Sequence, residues 1–139
     1  DVKTQRDIYS FNSTDYYEQE MGSFLKRRII SFNKLVPPDV LIEAKLICNE
    51  IEKELCENQC RTVNLDIGFL EHNKVVLASV KYSGQKIYLG KGIYADMILK
   101  YGKGMYNSFD WTFMDFKDGR YSLELIEIRR IYLQQKRNL

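Results

Sequence analysis

The sequence predicts an α+β fold, a single domain over residues 1–139 with a largely antiparallel sheet and two main helices. Two stretches carry apolar residues at spacings of three and four, the mark of amphipathic helices. Much of the remainder alternates apolar with polar residues or is rich in β-branched and aromatic side chains, as strands are. Two Gly-Lys-Gly tripeptides, at 90–92 and 102–104, divide a long alternating run at hairpin spacing, so that segment is antiparallel.

Ile8, Tyr9 and Phe11 suggest a strand within residues 2–12. A short helix follows, with Ser13, Thr14 or Asp15 as its cap and Gly22 as its end. Residues 25–36 read as one strand, with Ile30 and Phe32 alternating through to Leu35. Pro37-Pro38-Asp39 opens the clearest helix, because proline fits the first turn and an acid favours the positive end of the dipole. Leu41, Ala44, Cys48, Ile51 and Leu55 form its expected buried stripe, and Asn58 the left-handed stop.

Residues 61–69 read as a strand with Val63, Leu65 and Ile67 on one side and Asn64 and Asp66 on the other. Residues 74–80 are apolar throughout and fit a buried strand or a short helix equally. Around the Gly-Lys-Gly units, Ile93, Ala95, Met97, Leu99 and Tyr101 are expected on one face, and Tyr94, Asp96, Ile98 and Lys100 on the other. Residues 111–119 read as an aromatic loop, with Trp111 capping a core. Ser122 caps the last helix, whose inner face carries Leu125, Ile128 and Tyr132.

Charged residues make up 29% of the chain and its formal net charge is +2, too little to imply nucleic-acid binding alone. No apolar run reaches the length of a membrane span, so no membrane association is expected. Cys48, Cys56 and Cys60 contain no C-x-x-C pair, which points to reduced thiols in a cytoplasm and to no zinc site. The chain begins at Asp1 rather than Met and is expected to be a fragment or trimmed form.

A nucleotide-binding loop needs G-x-x-x-x-G-K-[ST] between a strand and a helix, and neither Gly-Lys-Gly unit has that context. They read as turns, with glycine supplying positive φ. No metal ligands and no cofactor are assigned. The polar residues Asp15, Glu20, Asn64, Asp66, Lys81, Lys86 and Asp96, distant in sequence, are the candidate ligand-binding set. Asp66 and Asp96 are the catalytic candidates, since paired carboxylates act as acid and base. Convergence of the set in one cleft implies a small phosphorylated or metal-bridged ligand. The alternative is a nucleic-acid-associated or protein-interaction module. It uses the surface of Lys81, Lys86, Lys91, Lys100 and Lys103 with Tyr82, Tyr88, Tyr94 and Tyr101. A homodimer contact through exposed strand edges belongs to the same alternative. The competing structural reading makes the carboxylates an ion-pair network and the lysines a solvated edge.

Several segments together resemble the family of small bacterial and archaeal proteins catalogued as domain of unknown function 4416. They are residues 14–22, 25–36, 63–70, 73–81, 87–96 and 109–116, in matching order along nearly the whole chain. The family typically shows N-[IVL]-D-P-G where this chain has Asn64-Leu65-Asp66-Ile67-Gly68, and Tyr-Ala-Glu where it has Tyr94-Ala95-Asp96. A family histidine-arginine pair is replaced by Gln85 and Lys86, so a histidine mechanism is not expected, while charge at Lys86 and Asp96 is kept. The resemblance implies a further N-terminal strand and helix that this chain lacks, and with them a ferredoxin-like or related sheet. It implies no biochemical activity.

Overall fold

A computed structural model of the chain describes residues 2–4, 8–12 and 17–139. In order, it contains β1 (Val2–Thr4), β2 (Tyr9–Ser10), α1 (Glu18–Met21), β3 (Lys26–Arg27), β4 (Ser31–Phe32) and α2 (Leu41–Glu54). There follow β5 (Gly68–Leu70), β6 (Lys74–Ser79), β7 (Ile87–Gly90), β8 (Ile93–Gly102), β9 (Met105–Ser108), α3 (Met114–Lys117) and α4 (Ser122–Arg137). The last five strands make one antiparallel sheet, ordered β5-β6-β8-β7, with β9 also paired to β8. β1–β4 and β2–β3 are separate antiparallel pairs. The α+β class and the largely antiparallel sheet expected from the sequence are therefore present. No helix is long and apolar enough to cross a membrane among the described residues.

The two Gly-Lys-Gly units are hairpin turns. Lys91 and Gly92 (φ 52° and 77°), then Lys103 and Gly104 (55° and 82°), occupy the two positive-φ positions that a two-residue hairpin loop of matching twist requires. The ambiguous apolar run 74–80 is the strand β6.

Strict alternation fails in β8. Val75 of β6 pairs with Leu99 and Val76 with Met97, so Ile98 is an extra residue, a β-bulge. The bulge turns both Ile98 and Leu99 into a core with Val75, Tyr121 and Leu125 of α4. Before it, Ile93 packs with Val76, Ala78 and Leu41 of α2 in a second core. The expectation that Ile93 and Leu99 share a face is thus overturned. One strand serves two cores on opposite faces of the sheet.

Sequence 109–116 completes the bulge. β7 pairs with β8 as far as Ala95 and β9 begins at Leu99, leaving Met97 and Ile98 without a strand neighbour on that edge. Side chains fill the gap. The Trp111 indole donates to the Met97 carbonyl (2.9 Å) and the Thr112 hydroxyl to that of Ile98 (2.5 Å). Trp111 stacks on Phe109 (4.7 Å, 3° between planes) and is 42% exposed. Its work is therefore at the strand edge, and Phe116 is the aromatic that packs on the Tyr121 core. The expected loop here contains the short helix α3.

Other expectations also need correction. The stretch 25–36 is divided between β3 and β4, which belong to different pairs. Asn58 does not end α2, which stops at Glu54. Asn58 and Gln59 instead form a third positive-φ pair inside the Glu57–Cys60 bridge. Ser122 is the first residue of α4, and Tyr121 stands at its cap position without a side-chain bond. The stripe that α2 buries is Leu41, Lys45 and Glu52, while Ile51 and Leu55 are exposed. Gly22 does end α1, at φ 82°. Ser13, Thr14 and Asp15 lie outside the described residues.

Two mutations check this architecture. A methyl at Gly68 would stand 2.3 Å from the Val76 carbonyl oxygen and 2.7 Å from a Leu77 methyl. Gly68→Ala should therefore lower unfolding free energy by about 1–3 kcal/mol in urea titrations. Gly84→Ala, with nothing within 4 Å, is the neutral control. Thr112→Val removes the hydroxyl that donates to Ile98 and accepts from the Phe109 amide (2.8 Å). It should lower stability by about 1–3 kcal/mol, because buried backbone groups lose their partner.

Candidate functional site

Below the bulge, β-pairing puts Leu77 opposite Asp96 and Ser79 opposite Tyr94. Val76, Ala78 and Ile93 face α2, so by alternation Leu77, Ser79, Tyr94 and Asp96 face the other way. The Ala78 amide donates to the Ile67 carbonyl (2.9 Å) and Ile67 packs toward α2, which sets Asp66 on the polar side as well. The N-terminal segment approaches this face.

β2 and β3 pair Tyr9 with Arg27, and the Tyr9 ring meets Tyr121 edge-on at 5.1 Å. Its hydroxyl bonds the Glu124 carboxylate. Arg27 is thereby held where its Nη1 bonds Asp115 and its Nη2 bonds Asp66 (3.0 Å). Asp115, only 1% exposed, also accepts the Tyr121 hydroxyl (2.8 Å). Burial first, and this hydrogen bond second, push the Tyr121 phenol well above its ordinary range.

A second ionic cluster is built on α2. Lys45 and Glu52, two turns apart, share one face. The Lys45 ammonium donates to the Leu65 carbonyl (3.0 Å), and the Leu65 amide donates to Glu52 Oε1 (2.6 Å). The two side chains do for Leu65 what a neighbouring strand would do. This is why residues 63–67, expected in a strand, run extended without a ladder before β5. Glu52 Oε2 faces Arg61 Nη1 at 3.5 Å, which also donates to Asn64 Oδ1 (3.1 Å). Arg61 then clasps Glu20 of α1 with both arms of its fork (2.7 and 2.8 Å). That bond holds the Glu20 carboxyl below its ordinary 4.5.

Aromatic rings connect the clusters. The Arg27 guanidinium lies 4.3 Å over Phe11, Phe11 is 5.9 Å from Tyr17, and the Arg61 guanidinium is 6.0 Å from the Tyr17 ring. The Tyr17 phenol is raised by burial first and then by Asp66, with Lys81, Arg27 and Arg61 opposing. Four charged residues from separate segments thus act on one hydroxyl.

Third is Lys86 with Asp96. The Lys86 ammonium donates to Ser79 Oγ (2.9 Å) and to the Lys81 carbonyl (3.1 Å), and lies 3.6 Å from Asp96 Oδ2. The rings of Tyr82 and Tyr88 pack against Tyr94 at 5.9 and 5.2 Å beside it.

Of the residues named from sequence, Glu20 and Asn64 meet on Arg61, Asp66 is held by Arg27, and Lys86 pairs with Asp96 through the segment carrying Lys81. Asp15 lies outside the described residues. Sequence reasoning missed Arg27, Arg61, Tyr17, Glu52 and Asp115, and it offered Lys45 as a partner for Asp96, whereas Lys45 bonds the Leu65 carbonyl. Lys45 and Glu52 carried a readable signal, an i,i+7 charged pair beside the apolar stripe. Arg27 had none, inside a run read as strand. His72 contributes only its carbonyl, to Arg129 (3.0 Å), and all three cysteines are free thiols. Burial raises the Cys48 thiol above its ordinary value, so it is not an activated nucleophile. Among the described residues no group of three His, Cys, Asp or Glu converges as a metal would need.

The Arg61–Glu20 bond has a pH signature. A carboxyl depressed in the folded state stabilises it above its unfolded value and loses that contribution as pH falls through the folded one. The thermal midpoint of wild type should exceed that of Glu20→Gln at neutral pH, and the gap should shrink steadily below pH 4.5.

No curated protein and no solved structure matches the chain. A family model described as "Domain of unknown function (DUF4416)" matches residues 1–132, nearly the whole length. The chain belongs to that family.

Proposed function

We propose that this protein binds a small phosphorylated metabolite where the α1–β3 segment meets the open polar face of the sheet. One observation carries the reading: Arg27 bonds Asp66 and Asp115, Arg61 bonds Glu20, Asn64 and Glu52 at the end of α2, and both arginines act with Asp66 and Lys81 on the Tyr17 hydroxyl. Lys86 with Asp96 stands on the sheet face turned away from α2, and the α4 core lies toward the other end of β8.

The charges alternate, which suits a ligand with both an anionic group and hydrogen-bond donors. Guanidinium forks recognise phosphate oxygens, and among the described residues Arg27 gives two of its N–H groups, to Asp66 and Asp115. Asp66 and Asn64 supply acceptors. Arg61 and Glu52 also line an open depression of about 530 Å³ with Leu46, Asn49, Cys56 and Val80. The phosphorylated version is preferred to the metal-bridged one because the ligating groups in place are guanidinium and ammonium. The three free thiols fit a reducing compartment, and the cytoplasm is the location proposed.

The hairpin surface offers a weaker case for a nucleic-acid or protein partner. Lys86 is turned inward to Asp96, and Lys91 pairs with Glu43 of α2. Tyr101 packs beneath the Arg129 guanidinium at 3.6 Å.

A thermal-shift panel of phosphorylated metabolites against their dephosphorylated counterparts tests the proposal. Phosphorylated compounds should raise the midpoint, with about 2.7 kcal/mol of added stability at a hundredfold excess over Kd. Arg61→Lys keeps the charge and loses the fork, and should weaken binding about tenfold or more. No shift at millimolar phosphate esters, or an unchanged shift in Arg61→Lys, would sink the idea.

A further inference from the structure

We infer that Asp96 selects the ligand: it accepts hydrogen bonds from hydroxyl groups, so the ligand is a polyhydroxylated phosphate ester. The inference rests on the phosphate-binding reading above and adds the chemistry of the ligand's other end.

Two carboxylates of nearly equal burial frame the argument. Asp115 is 1% exposed and accepts from Arg27 and from Tyr121. Asp96 is 3% exposed, yet among the described residues its Oδ1 has no hydrogen-bond partner. Its Oδ2 faces the Lys86 ammonium at 3.6 Å, beyond hydrogen-bond reach, while that ammonium donates to Ser79 and to the Lys81 carbonyl. A buried carboxylate is stabilised only by pairing together with hydrogen bonds, and an orphaned acceptor costs the full desolvation of the group. Asp115 shows how this fold completes such a group when the role is purely architectural. Asp96 is left incomplete on the face turned away from α2, the side on which Arg27 holds Asp66.

The missing partner must donate. Phosphate oxygens cannot supply it, since they are acceptors, and beside a carboxylate they would be repelled. Lys86 beside Asp96 and Arg27 on Asp66 are the cations this side offers to an anionic end, so the donor belongs to the ligand's neutral end. Hydroxyls on a carbon chain or ring meet that need. The exposed rings of Tyr82 and Tyr88, packed on Tyr94 next to Asp96, offer aromatic surface against which such a carbon skeleton can lie.

The test uses matched pairs that differ only in hydroxyls: glycerol phosphate against propyl phosphate, and inositol phosphate against cyclohexyl phosphate. Inorganic phosphate serves as the common reference. In wild type, the hydroxylated member of a pair should bind at least about tenfold more tightly, read from thermal midpoints over a concentration series. Asp96→Leu should erase the difference within a pair and leave the propyl or cyclohexyl phosphate shift in place. Asp96→Asn, which keeps one acceptor oxygen, should retain part of it and decides the matter if Asp96→Leu does not fold. Equal binding within both pairs in wild type, or discrimination that survives in Asp96→Leu, overturns the inference while leaving phosphate binding intact. Absence of any shift with all four esters and with inorganic phosphate removes the binding site itself, and this inference with it.

Discussion

The extra residue at Ile98 is the constraint from which the rest of the molecule follows. A ten-residue strand in strict alternation would offer one apolar face to one layer of helix. Inserting Ile98 reverses the phase halfway, so α2 packs below the bulge on one side and α4 packs above it on the other. Each helix therefore covers half of the sheet. The face opposite α2 is then available to polar side chains, which is where Asp66, Ser79 and Asp96 stand. The bulge is maintained by the Trp111 and Thr112 side chains at the unpaired edge, and a few residues later Asp115 receives Arg27. A single connection, residues 109–116, thus stabilises the bulge and anchors the ionic layer.

That ionic layer also decides how the N-terminal segment is attached. β2 and β3 are two residues each and contribute little ladder. Their attachment comes from Tyr9 and Ile29 packing on the α4 core, and from Arg27 and Glu20 reaching charged partners on the body. Exposed pairs contribute about 0–1 kcal/mol, whereas breaking a buried pair costs about 3–5 kcal/mol because the remaining charge is stranded. Arg27–Asp115 belongs to the second class, whereas Glu20 is open to solvent, which screens its bond to Arg61. The inner end of the segment is firmly held, and the α1 end is held by a bond that solvent screens.

How much of this was legible in the sequence follows from the range of each interaction. Short-range chemistry read well: the Pro37-Pro38-Asp39 helix start, the Gly22 stop and the two hairpin turns are set by residues next to one another. Periodicity read less well wherever a polar residue takes an apolar place. Lys45 and Glu52 sit on the buried face of α2 because Leu65 needs their hydrogen bonds, so a stripe drawn through apolar residues alone rotates toward Ile51 and Leu55, which solvent sees. The bulge at Ile98 was illegible for a related reason. Residues 93–101 alternate well enough on paper, and only the partner strand shows that one of them is surplus. Asp66 and Asp96 were identifiable as carboxylates in unusual places. Lys86, ten positions from Asp96, was identifiable too. The arginines were not, since Arg27 reaches Asp66 and Asp115 across 39 and 88 positions and Arg61 reaches Glu20 across 41.

On the proposed function, the same geometry ties ligand binding to folding. Glu20 and Tyr17 come from the segment whose attachment is weakest, and Arg61, Asp66 and Lys86 from the body. A ligand that bridged Arg27 and Arg61 would therefore tie the two parts together. An anion competing with Glu20 for the Arg61 fork would release the α1 end at the moment it binds. A phosphate is suited to that competition, with oxygens enough to accept from both arms of the guanidinium. Tyr17, held between both arginines and raised above its ordinary pKa, stays a neutral hydroxyl and hence a donor across the physiological range.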